Sequence, residues 1–108
     1  MNPTQEQIEI VWQHGRVMPE ADPSVWRQDT CGAWIQRNQF GRDHSEFGWK
    51  IRNIVGGGPD APDNLRPFHW RNHFDAANNR PHCQVTADRT GVASAQRASP
   101  PRNRSLHT

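Results

Sequence analysis

The sequence predicts an α+β fold, and three observations carry the prediction. Residues 3–14, PTQEQIEIVWQH, place Ile8, Val11 and Trp12 at i, i+3 and i+4, the period of a helix with one apolar face. Residues 49–55, WKIRNIV, put Trp49, Ile51, Asn53 and Val55 on one face of a strand and Lys50, Arg52 and Ile54 on the other. Residues 70–79, WRNHFDAANN, space Trp70, His73, Phe74 and Ala77 as i, i+3, i+4 and i+7, which reads as a second helix. At 108 residues the chain is one small domain. Hydrophobic content is 32% and Tyr is absent, so five Trp and four Phe carry much of the burial in a thin core.

Along the chain, Thr4 and Gln7 form a capping-box pattern at the first helix, and Gly15 is a C-cap candidate. Residues 16–30 are a connection broken by Pro19 and Pro23, with Val25 and Trp26 as its anchor to the core. CGAWIQR, from Cys31, reads as a short strand or extended edge. Residues 41–48 form a polar loop holding Asp43 and His44, whose bland reading is a solvated histidine. Residues 56–63, GGGPDAPD, form a loop with glycines that permit positive φ and prolines that stiffen its return. Residues 64–69, NLRPFH, supply the second strand. Beyond residue 80 the apolar period is lost. Arg89, Arg97, Arg102 and Arg104 decorate a polar stretch, read as a flexible tail or as an electrostatic arm for nucleic acid. The expected divisions are 1–30, helix and linker; 31–80, core; and 81–108, basic tail.

The net charge of +2 is unevenly spread. Residues 1–30 carry two arginines against five acids, residues 31–80 carry two positive charges in excess, and residues 81–108 carry three. That is too weak for a protein that coats DNA. Lys50 is the only lysine; the arginine bias suits forked contacts to phosphate or carboxylate, and it also suits a GC-rich genome. The two cysteines, Cys31 and Cys83, permit a disulfide without requiring one. The polar N-terminus is no signal peptide, and no apolar run approaches the ~20 residues of a membrane span. The expectation is a cytoplasmic protein with free thiols and no membrane partner.

The run CGAWI, then FG, S-x-F-G-W, KIRNI, GG and NLRPFHW-x-N-H resembles HNH endonucleases of the ββα-metal type over about half the chain. The resemblance implies a ββα-metal-like core with the N-terminal helix beside it. It also implies that Asn64 ties the loop to the strand pair, and that the family's third metal-binding position falls at His73. The family's Asp-His pair, metal ligand and general base, falls at Arg52 and Asn53. Arginine repels a cation, and asparagine has no proton affinity near neutral pH. The lone Cys31 lacks the paired spacing of a structural zinc site.

Three functional readings follow. The first is a catalytically inactive inhibitor or adaptor that binds a protein or nucleoprotein machine, such as an anti-CRISPR or other anti-defence protein of a phage or mobile element. Its target would be a bacterial defence nuclease or similar complex, with Trp12, Trp26 or Trp34 as exposed anchors. The second is a nuclease-dead DNA-binding domain that contacts phosphates through Arg52, Asn53, Arg66, Arg71 and His73. The third is an active metal-dependent nuclease with a site rearranged among Asp43, His44, His69, His73 and Asp75. No cofactor is expected under the first two readings; Mg or Zn enters only with the third. His69 and His73 are the weak metal candidates, with His82 and Cys83 as distant ones.

Overall fold

The computed structural model of the chain describes residues 3–54, 61–88 and 101–106. Its elements are one helix, α1 (Gln5–Trp12), and eight short strands: β1 (Trp26–Gln28), β2 (Trp34–Gln36), β3 (Trp49–Asn53), β4 (Leu65–His69), β5 (His73–Asp75), β6 (Arg80–His82), β7 (Val85–Ala87) and β8 (Asn103–Ser105). The strands pair antiparallel as β1–β2, β3–β4, β5–β6 and β7–β8, four separate two-stranded ladders.

Such ladders are marginal alone and need a shared apolar cover. Val11 and Trp12 of α1 supply it for the β1–β2 and β3–β4 ladders, packing with Ile35, Trp49 and Leu65, while Ile8, Phe40 and Ile51 pack against this cluster. The Trp12 and Trp49 rings lie 5.4 Å apart, and Phe40 meets Trp49 edge-on at 4.9 Å. Both buried indoles find acceptors: Trp12 Nε1 donates to Pro23 O at 3.1 Å and Trp49 Nε1 to Gln36 O at 3.0 Å.

Helix α1 starts as its residues dictate. Thr4 Oγ1 accepts from the Gln7 N–H, and the Gln7 side chain accepts from the Thr4 N–H. Its far end is held by Arg27, which is buried. The Arg27 guanidinium donates to Gln13 O, Gly15 O and Pro23 O and lies 5.8 Å from the Trp12 ring centroid. A cation at the C-terminal carbonyls also complements the helix dipole.

Three expectations are corrected. The first is the ββα core. β3 and β4 pair from Trp49↔His69 to Asn53↔Leu65, but residues 70–79 form no helix. They make a turn, β5 and a second turn, and β5 pairs with β6 from His73↔His82 to Asp75↔Arg80. The helical spacing was outweighed by side chains that bind backbone. Asn72 Oδ1 accepts the N–H groups of Gln84 and Val85, and Asp75 accepts from both the backbone and side chain of Asn78. Asn79 then takes a left-handed φ of 54°, which suits a tight turn and stops a helix.

The second correction concerns the thiols. Cys31 and Cys83 are disulfide-bonded with a Cα–Cα separation of 5.6 Å, and no cysteine is free. The third concerns the tail. β7 and β8 lie within it, and the Asn103 side chain pairs with Trp34 as a strand residue would, accepting its N–H at 2.7 Å and donating to its carbonyl at 2.8 Å. Asp88 and Arg102 add an ion pair at 3.6 Å. Val55, most of the glycine loop (residues 56–60), Arg89 and Arg97 lie outside the described residues. No helix among the described residues is long and apolar enough to cross a membrane.

Candidate functional site

The centre of the molecule is a buried polar network that ties three ladders together. Asp29, 1% exposed, follows β1 and accepts four N–H groups. Its Oδ1 takes those of Cys31 and Ala33 at 2.9 and 2.8 Å, and its Oδ2 takes the His69 N–H at 2.8 Å and the Asn72 amide at 2.9 Å. Asn72 completes its own set by donating to Val85 O at 3.0 Å. Burial pushes the Asp29 carboxyl above the usual carboxylate range, against the downward pull of Asn72 and the three backbone donors. Gly32 lets the chain turn around this carboxylate with a φ of +82°. The disulfide closes on the same turn at Cys31.

This network sets the end of β4, and β4 in turn presents the residues that the sequence singles out. Arg52 stands directly opposite Arg66 on the β3–β4 ladder. Among the described residues, the Arg52 Nε is buried without a hydrogen-bond partner. Arg66 Nη1 donates to Asp63 O at 2.9 Å and Leu65 O at 2.8 Å, and His14 donates to the same Leu65 carbonyl. A hollow of about 130 Å³ opens beside Arg66, bordered by His14, Arg16 and Thr30. Asn53 ends β3 opposite Leu65. At Asn64 the main chain links loop to strand: its carbonyl accepts the Ile54 N–H at 2.8 Å.

The five residues of a rearranged nuclease site do not meet at one point: only His44 and His69 border the same groove. His69 is 2% exposed, and both of its ring nitrogens are occupied. Nε2 donates to Glu46 O at 2.8 Å and Nδ1 accepts the Arg71 N–H at 3.1 Å, which fixes the neutral Nε2–H tautomer. Burial holds its pKa below the ordinary histidine value. Asp43 is paired with Lys50 at 3.0 Å, and His44 lies against Trp70 at 5.5 Å. His73 and Asp75 sit on the separate β5–β6 hairpin, and Cys83 is committed to the disulfide. Among the described residues, no three His, Cys, Asp or Glu side chains converge as a metal site.

His44, Glu46, His69, Trp70, Arg71 and Arg104 instead line a groove of about 230 Å³. Arg71 is exposed and borders this groove next to β4. Of the tryptophans offered as partner anchors, Trp12 and Trp34 are buried and Trp26 is half-buried. Trp12 is 1% and Trp34 7% exposed, and Trp26 packs between Trp34 and Phe47, centroids 6.3 and 4.7 Å away.

Sequence reasoning missed Asp29, Asn72 and Arg27. For Asp29 a signal existed: Asp-Thr-Cys-Gly is a side-chain-to-backbone turn ending in glycine. Asn72 carries none, because all of its partners are distant in sequence or lie across a turn. Compared with known proteins, the chain matches no family model, no curated protein and no solved structure.

Proposed function

We propose that this chain is a non-catalytic binding module that holds the phosphate backbone of a nucleic acid, free or within a nucleoprotein machine. The observation that carries it is Arg52 opposite Arg66, with the Arg52 Nε buried and unpartnered among the described residues. Like charges directly across a ladder repel, and an anion shared between the two guanidinium groups removes that cost. Arg16 and His14 border the adjoining hollow and extend the basic surface. The sequence resemblance to HNH endonucleases puts Arg52 and Asn53 where that family has its metal ligand and general base, and on this reading the module binds without cleaving.

The inhibitor or adaptor role remains compatible with such a surface when the target is nucleoprotein. It receives no separate support from Trp12 and Trp34, which are buried, and Trp26 is half-buried against Trp34 and Phe47. A cytoplasmic setting conflicts with the Cys31–Cys83 bridge, because cytosolic thiols are normally kept reduced. We therefore place the folded form in an oxidising compartment.

The test is fluorescence anisotropy with labelled duplex and single-stranded DNA across a salt series. Binding should weaken linearly in log–log form. Arg52→Ala and Arg66→Ala should each reduce the slope by about 0.9 on duplex, as for one lost phosphate contact. Salt-insensitive binding, or slopes unchanged in both variants, would reject the proposal. A lysate partner that survives nuclease treatment and is indifferent to both substitutions would point to the adaptor role instead.

A further inference from the structure

We propose that His73 and His82 form a two-imidazole site for a divalent transition metal of the imidazole-preferring class, Zn(II), Cu(II) or Ni(II). The two residues are directly opposite on the β5–β6 ladder, both are exposed, and their rings stack at 4.9 Å with 22° between planes. Directly opposed residues on a ladder have Cβ atoms ~5 Å apart, which brings both rings within reach of one ion. With bonds of ~2.1 Å at a tetrahedral angle, the coordinating nitrogens need to lie about 3.4 Å apart. Because each lone pair lies in its ring plane, the two exposed rings must rotate out of their stacked arrangement to converge on the ion, a change that exposed imidazoles make by side-chain torsion.

What separates this pair from scattered surface histidines is its mounting. His73 follows Asn72, which is fully buried and makes four hydrogen bonds to Asp29, Gln84 and Val85. His82 precedes Cys83, which is tied to Cys31. The connecting turn is fixed by Asn78 bonded to Asp75 and by left-handed Asn79. Both imidazoles are thus held on elements whose register cannot slip, the condition for a preformed ligand pair. One residue pair along the same face, Asp75 opposes Arg80. The remaining coordination positions fall to water, so the ion stays exchangeable. The site is independent of Arg52 and Arg66, and its failure would leave the phosphate-binding proposal standing.

The experiment uses the intact oxidised chain. Calorimetric titration with Zn(II) should give one equivalent bound, and His73→Gln or His82→Gln should each weaken it at least ~10-fold, the smallest effect usual for disturbing a metal site. His44→Gln should leave it unchanged. Substoichiometric Cu(II) added to the wild-type chain should broaden the NMR signals of His73 and His82 before those of the other four histidines. Affinity retained in both single variants, or broadening that begins at another histidine, would overturn the proposal.

Discussion

Removing the Cys31–Cys83 bridge should cost this fold a large share of its stability. The bond joins residues 52 apart in sequence. Closing a loop of that length in the unfolded chain corresponds to about 4 kcal/mol of chain entropy at 25 °C. Small domains hold only ~5–15 kcal/mol in total, and this core is thin. The double substitution Cys31→Ser, Cys83→Ser, or reduction with dithiothreitol, should therefore lower the urea midpoint by roughly 2 M, taking a slope of ~2 kcal/mol per M. Intrinsic fluorescence is a suitable probe, because Trp12, Trp49 and Trp34 are all buried. Free-thiol assay on the native chain should read none before reduction and two after it. A midpoint unchanged by reduction, with two thiols then titrating, would refute the reasoning, because it would mean that the constraint is already supplied by the fold around Asp29.

Three further outcomes follow from the same geometry. Asn72→Leu keeps the volume but strands two backbone N–H groups, one carbonyl and part of Asp29, so unfolding free energy should drop by about 3 kcal/mol or more in urea titration. Gly48→Ala sets a Cβ 1.9 Å from the Arg42 carbonyl oxygen, so backbone must move; a thermal midpoint within 1 °C of wild type, against the ~4 °C or more expected of a 1 kcal/mol loss in a domain this size, would contradict the packing. His69 contributes stability that is full above its unfolded pKa of about 6.5 and is lost as pH falls toward its lower folded value. Asp29, raised by burial, acts in the opposite sense, losing its contribution as pH rises through its folded value. The difference in urea midpoint between wild type and His69→Gln should accordingly shrink between pH 7.5 and pH 5.

The parts of this fold legible in the sequence are those whose partners are near in sequence. The cap at Thr4 and Gln7 and the alternation of Trp49, Ile51 and Asn53 are local, and α1 and β3 stand where they point. The hairpin at 73–82 was not legible. Trp70, His73, Phe74 and Ala77 share a helical face by spacing alone, while the forces that unwind it come from Gln84 and Val85, across a turn. The disulfide was equally hidden: two cysteines 52 residues apart meet only because Asp29 folds one turn against Asn72. At the candidate site, the chemistry of Arg52 and Asn53 was readable, but their register was not. That Arg52 faces Arg66 is a property of strand pairing. His69, a weak ligand candidate in the sequence, has a burial and two hydrogen bonds that depend on Glu46 and the turn at Arg71, which sequence alone does not show.

Asn103 acts as a one-residue strand against Trp34, and it lies near the end of the sequence. The Trp34 N–H and carbonyl are thus satisfied by one amide side chain 69 residues away, so the edge of β2 is closed by a group that a single substitution can remove while the Cys31–Cys83 bridge stays in place.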